Sequence, residues 1–179
     1  MSLVLQSSGG GSITLQEPVT ASNLTITVPA VTGTMITTAN IPTGSVLQVV
    51  SATRTASSVT TSTSFVSNGL TASITPSSSS SKIFVTVSSV GDSGASGVTA
   101  FYTLYRNSTN LGGATEGFGG VSASSGNIRA PIAFNYLDSP STTSSVSYTL
   151  YYRSINGTQV EVPPYASGVQ VITLMEIAA

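Results

Sequence analysis

The string Gly91-Asp92-Ser93-Gly94 has the form of a serine-protease nucleophile segment. That chemistry needs an imidazole to take the serine proton and a buried carboxylate to orient the imidazole. The chain has no histidine, and a match this short is expected by chance in a sequence rich in Ser and Gly. Paired carboxylates are the next option, because glycoside hydrolysis needs only two acids facing one bond. Asp92 and Asp138 fall in expected loops and could meet in space, while Glu17, Glu116, Glu161 and Glu176 are scattered. No tryptophan is present to serve as a platform for sugar rings. Gly117-Phe118-Gly119-Gly120 lacks the strand-to-helix setting and the lysine of a phosphate loop, so 112–126 reads as a flexible surface loop. With no cysteine and no Asp/Asn spacing of a calcium loop, no metal site is expected. The expectation is a protein with no catalytic residues, no metal and no cofactor. Three glycosylation sequons, at Asn23, Asn107 and Asn156, are what chance gives in a chain that is about a third Ser and Thr.

The elements that must position any site follow from composition. The 179 residues suffice for one good-sized core and a short extra arm. Charged residues make up 6%, roughly a quarter of the usual share, and the strong helix formers Glu, Lys, Arg and Leu are scarce. Thr, Val, Ile and Tyr suit a pleated sheet. Hydrophobic residues reach 40% and sit in alternating blocks, which argues against disorder. The five basic residues, Arg54, Lys82, Arg106, Arg129 and Arg153, are dispersed, so no nucleic-acid partner is expected. No apolar run exceeds three residues, so no membrane span is expected. The first ten residues have neither a basic nor an apolar region of the secretory type. The absence of cysteine suits assembly in a cytoplasm followed by exposure to harsh surroundings.

Along the chain, short β-like pieces at 2–6, 12–15, 23–28 and 34–37 are separated by Gly and Pro. Each is too short to hold a core. Ile41-Pro42-Thr43-Gly44 reads as a turn or hinge. Longer strands are expected at 46–54, 61–67, 81–90, 98–106, 129–137, 146–154, 159–162 and 169–177. Turn chemistry lies between them at Ser67-Asn68-Gly69, 91–97, 107–110, Asp138-Ser139-Pro140, Asn156-Gly157 and Pro163-Pro164. Asn156-Gly157 has the composition of a primed hairpin turn. About eight strands at this spacing predict an all-β, jelly-roll-like antiparallel β-sandwich knob over 45–179, preceded by a short extended β arm over 1–44.

In a sandwich one face of each strand meets the core and the other meets water. Val146, Tyr148, Leu150 and Tyr152 oppose a properly mixed face. In the last strand, however, Val169, Val171, Met175 and Ile177 oppose Ile172, Leu174 and Ala178. Val98, Ala100, Tyr102 and Leu104 likewise oppose Phe101 and Tyr105. A long loop over centrally placed strands is one explanation; because a surface with so few charges is poorly protected against association, burial of the second face against copies of the same chain is the one expected.

Ser73-Ile74-Thr75-Pro76, the serines 77–81 and Lys82-Ile83-Phe84-Val85 resemble a segment recurrent in appendage proteins of tailed phages, notably the cyanophage and marine-phage type. Tyr136-Leu137-Asp138-Ser139-Pro140, 145–150 and Ile172-Thr173-Leu174-Met175-Glu176-Ile177 look like later strands of the same module, and 23–37 resembles a short N-terminal virion motif. The resemblance leaves a gap around 111–127. It implies a homotrimeric virion appendage whose knob is similar to the tumour necrosis factor type of jelly roll, and it supplies no catalytic residues. No shaft repeat is present, which favours a capsid decoration or head spike on the particle surface, assembled in the host cytoplasm, over a tail fibre. The arm would join another virion protein. The alternatives are a short tail-fibre receptor-binding protein and a polysaccharide-degrading tailspike-type hydrolase. Host contact, with a cell-surface glycan as one partner, is expected on the loops 91–97, 111–127 and 163–168, where Asp92, Phe118 and Tyr165 are the candidate contact residues.

Overall fold

The computed structural model describes residues 2–16, 41–164 and 168–179. The chain divides into two compact units, Met1–Met35 and Ile36–Ala179.

In the first unit β1 (Ser2–Gln6) and β2 (Ser12–Gln16) form an antiparallel hairpin, with the register running from Ser2↔Gln16 to Gln6↔Ser12. The Ser7 N–H donates to the Gly11 carbonyl at 2.7 Å and closes the turn. Val4, Leu5 and Ile13 stand exposed. The pieces expected at 23–28 and 34–37 lie outside the described residues.

The second unit contains β3 (Val46–Arg54), β4 (Ser58–Thr60), β5 (Val66–Ile74), β6 (Lys82–Asp92) and β7 (Thr99–Arg106). It continues with β8 (Thr109–Asn110), β9 (Gly119–Ser122), β10 (Arg129–Asp138), β11 (Val146–Ser154), β12 (Val160–Val162) and β13 (Gln170–Ile177). No helix occurs among the described residues. Eight strands make a jelly roll. Its first strand pairs with its last (β3 with β13), the second with the seventh (β5 with β11), the third with the sixth (β6 with β10) and the fourth with the fifth (β7 with β9). The sheets run β3-β13-β6-β10 and β5-β11-β7-β9, all antiparallel, with β12 and β4 continuing the first sheet at the Asp92 end of β6. The expected all-β jelly-roll sandwich is present.

Alternation builds the core, because every second side chain along a strand faces the opposite sheet. Ile83, Val85, Val87, Ile172 and Leu174 from one sheet meet Leu70, Ala72, Ile74, Ala100, Tyr102, Leu104, Val146, Tyr148, Leu150 and Tyr152 from the other. Burial of each large apolar side chain contributes about 1.5–3 kcal/mol before conformational entropy is counted. Two of the three fully buried tyrosines anchor their hydroxyls. Tyr148 donates to Asp138 Oδ2 at 2.6 Å, and the Tyr152 hydroxyl lies 2.9 Å from that of Ser58.

Four expectations are corrected. Ser67-Asn68-Gly69 is not a turn between strands but a bulge within β5. Asn68, Gly69 and Leu70 together stand opposite Leu150, between the pairs Ser67↔Tyr151 and Thr71↔Thr149. Asn68 holds the bulge by accepting the Leu70 N–H at Oδ1 (2.9 Å) and donating to Gln170 Oε1 (2.6 Å). The strand expected at 61–67 is accordingly replaced by β4 before it and β5 after it. The glycine-rich stretch after Leu111 is not merely a surface loop, because it contains β9, the fifth strand of the jelly roll. A Cβ on Gly117 would come within 2.2 Å of the Tyr102 carbonyl oxygen, so the glycine lets the segment lie flush on β7. Asn156-Gly157 does not close a hairpin. It links β11 in one sheet to β12 in the other, and only Gly157 of the pair has a positive φ, whereas a primed turn of this composition needs both.

Ile41-Pro42-Thr43-Gly44 is a turn, with the Ser45 N–H donating to the Pro42 carbonyl at 3.1 Å. It is tied to the last strand, because the Gly44 N–H donates to the Ala178 carbonyl (2.8 Å) and the Ala178 N–H to that of Ser45 (2.9 Å).

Candidate functional site

The register sorts the connections into two poles. Gly44, the serines 77–81, Asp138 and Ala178 lie at one, because Ile177 pairs with both Val46 and Lys82 and Asp138 pairs with Ile83. Arg54, Asp92, Arg129 and Glu161 lie at the other, because Gln170 pairs with Arg54 and Asp92 with both Arg129 and Glu161.

At this second pole the sequence-predicted loops 91–97 and 111–127 meet. The Ser93 N–H donates to the Ile128 carbonyl (3.0 Å), the Gly97 N–H to that of Ala123 (2.7 Å) and the Ser96 hydroxyl to that of Ser124 (2.9 Å). Asp92 is not a loop residue: β6 extends two residues past its expected end, and Asp92 is 3% exposed. Its Oδ2 accepts from Arg129 Nε at 2.9 Å and Asn127 Nδ2 at 3.1 Å, and its Oδ1 accepts the Gly94 N–H at 2.6 Å. The carboxylate is fully engaged within the chain. Beside it Asp92, Gly94, Asn127, Arg129 and 158–161 line a polar cleft of about 250 Å3. Gly94 has φ +78°, and a Cβ there would fall 1.7 Å from the Gln159 carbonyl oxygen, so the two walls of the cleft touch backbone to backbone.

Asp138 sits at the opposite pole. It accepts the Tyr148 hydroxyl and Arg106 Nη1, which reaches both carboxylate oxygens at 2.8 and 2.9 Å. Burial, and then this hydrogen bond, push the ionisation of Tyr148 well above the usual tyrosine range, so the hydroxyl remains a donor. Asp92 pairs with Arg129 at the start of β10 and Asp138 ends that strand, so about 30 Å separates the two acids at strand spacing. Glycosidase carboxylates stand within about 10 Å of each other. This pair cannot face one glycosidic bond.

Phe118 is half-buried and packs on the core. Its ring stacks on Phe134 at 4.9 Å and meets the edge of Tyr136 at 5.5 Å, closing the gap between the sheets where β9 and β10 form their open sides. Tyr165 lies outside the described residues.

A further feature is the outward face of the first sheet. Val49, Met175, Phe84 and Leu137 are successive cross-strand neighbours on β3, β13, β6 and β10. Val49 is 57% and Leu137 49% exposed, and Val46 and Ile177 extend the row. Next to it β10 pairs, among the described residues, with β6 alone, leaving one edge of a ten-residue strand unpaired.

Sequence reasoning missed Arg129, Thr158, Gln159 and Glu161 as companions of Asp92, because the hairpin reading of Asn156-Gly157 kept 158–161 beside β11. The segment crosses to the other sheet instead.

Fold and geometry define an antiparallel jelly-roll protein with a polar cleft at one pole and a sheet face crossed by an apolar row, with Lys82 beside it. No protein-family model matches the chain, and no curated protein matches it. Among solved structures, it is similar to the VP2 subviral particle of infectious bursal disease virus. The identity is 14% and the TM-score 0.43, over 94% of this chain and 44% of that one. A structure of the Gt strain of the same virus gives 16% identity and a TM-score of 0.40, over 98% of this chain and 46% of the other. The chain spans less than half the length of either.

Proposed function

We propose that this chain is a non-enzymatic structural protein of a virus particle, a trimeric capsid decoration or head spike of a tailed phage, held by its N-terminal arm and exposed on the particle surface. The observation that carries the reading is the outward apolar row Val49–Met175–Phe84–Leu137 beside the unpaired edge of β10, in a chain with 6% charged residues. β10 bears charge only at its ends, Arg129 and Asp138, and a long edge strand invites pairing or packing unless something covers it. A second copy suits both surfaces, and an edge meeting a face is a heterologous contact that closes only as a ring. Three copies follow from the appendage resemblance. The hairpin β1–β2, too small to be stable alone and exposing Val4, Leu5 and Ile13, suits attachment to a support. The non-enzymatic reading draws on the wide separation of Asp92 from Asp138.

The test is mass measurement in dilute solution together with imaging of particles labelled for this chain. A mass three times the 18.0 kDa of one chain is expected, and Val49→Asp and Met175→Asp should shift it to one chain with the fold retained. A well-folded wild-type monomer would overturn the oligomer, and particles without label would overturn the virion location.

A further inference from the structure

We infer that the polar cleft between Asp92 and Glu161 is a binding subsite for a single ring of a neutral saccharide. The cleft holds about 250 Å3, the volume share of roughly eight waters, which suits one sugar ring rather than a chain. Its floor is rigid: Asp92 is buried and saturated by Gly94, Asn127 and Arg129, and Gly94 is pressed against the Gln159 backbone. Its wall has unused polar capacity. Among the described residues the side chains of Thr158 and Gln159 make no hydrogen bond, and Glu161 spends Oε1 on the Ser57 hydroxyl and leaves Oε2 without a partner. A hydroxyl, an amide and a carboxylate oxygen around one hollow offer both donors and acceptors, the pattern that vicinal hydroxyls satisfy.

Charge selects within that class. Beside the Asp92–Arg129 pair, Glu161 adds a carboxylate to the lining, and its charge repels an acidic sugar. Among the described residues no aromatic side chain lines the cleft, which limits affinity. Within the sandwich the cleft lies at the pole opposite Gly44, where the chain enters. In a particle carrying many copies, weak single sites gain roughly 10^2–10^4 in avidity. That last step alone rests on the virion reading.

The test uses the isolated full chain, isotope-labelled, titrated with methyl glycosides of neutral hexoses and in parallel with glucuronic acid, and read by amide chemical shifts. Saturable shifts at Gly94, Asn127 and 158–161 are expected with at least one hexose, at a Kd on the order of 10 mM, and none with glucuronic acid. Gln159→Ala and Glu161→Gln should each weaken binding more than about tenfold while the melting temperature holds. The subsite is overturned by no hexose shift up to roughly 100 mM, by shifts centred elsewhere, or by unchanged binding in both variants. Tighter binding of glucuronic acid overturns the neutral class. None of these results bears on whether particles carry the chain, so this inference and the virion reading fail separately.

Discussion

Ser77 and Glu176, 99 positions apart, share one carboxylate oxygen: the Ser77 N–H donates to Glu176 Oε1 at 2.8 Å and the Ser77 hydroxyl at 2.7 Å. Gln48 Nε2 donates to Oε2 at 2.6 Å and also reaches the Thr75 carbonyl at 2.8 Å. The Thr-Pro-Ser link between β5 and β6 is thus clamped to the first and last strands of the jelly roll. The segments around Thr75 and Glu176, which carry the phage-appendage resemblance, meet at this one carboxylate.

Burial of Glu176 alone would raise its pKa, but the donors from Gln48 and Ser77 outweigh it and hold the group down to about 2 from an ordinary value of 4.5. A folded-state pKa below the unfolded one gives stability that is present above about pH 4.5 and lost as pH falls through 2. Glu176→Gln should therefore cost roughly 2 kcal/mol at neutral pH and flatten the acid limb of thermal melting followed from pH 5 to 2. An unchanged acid limb in the variant would show that other carboxylates set it.

Close approach of Gly117 to β7 predicts a contrast with Gly126. Both have positive φ, at +60° and +68°, but a Cβ on Gly117 meets the Tyr102 carbonyl whereas one on Gly126 meets nothing within 4 Å. Gly126→Ala should cost about 1 kcal/mol from backbone strain alone. Gly117→Ala should cost at least about twice that and detach β9, read by denaturant melts and by faster amide exchange in 119–122. Equal effects would mean that β9 does not depend on that contact.

Breaking the Arg106–Asp138–Tyr148 cluster should destabilise without any catalytic consequence. Asp138→Asn leaves a guanidinium and a buried hydroxyl facing a weaker acceptor, a loss of roughly 3 kcal/mol and about 6–12 °C in melting temperature. Polysaccharide-cleavage assays on the wild type, Asp92→Asn and Asp138→Asn should all read zero. Cleavage by the wild type that either substitution abolishes would restore the hydrolase reading.

How much was legible depended on whether a segment's structure was local. Strand 146–154 was read to the residue because strict alternation from Val146 to Ser154 leaves no other half-buried arrangement. The bulge at Asn68-Gly69 was misread because a bulge and a turn use the same residues, and only Gln170, far along the chain, decides between them. Gly119–Ser122 carries too little side chain to announce a strand, so its pairing with β7 shows only once the backbones are in contact. Asp92 was read as an exposed loop residue, whereas it ends β6 buried against Asn127 and Arg129, partners that no spacing reveals.

Removing residues 1–35 should leave the sandwich folded, because they form a compact unit of their own. A melting temperature within about 2 °C of the full chain is expected, with loss of incorporation into particles measured by co-sedimentation. Unfolding on deletion would place those residues in the sandwich core, and retained incorporation would remove the arm's assigned role.

The pairing of the first strand with the last has a mechanical corollary. A tether fastened upstream of Gly44 would load β3 first, and β3 is held along its length by the ladder from Arg54↔Gln170 to Val46↔Ile177, with the bonds between Gly44, Ser45 and Ala178 at its mouth. Traction along the strand would have to shear that whole ladder together, whereas traction across it would open the rungs singly from the Ala178 end. The same arrangement brings entry and exit of the sandwich to one pole, and the connection at 155–158, between β11 and β12, lies at the other.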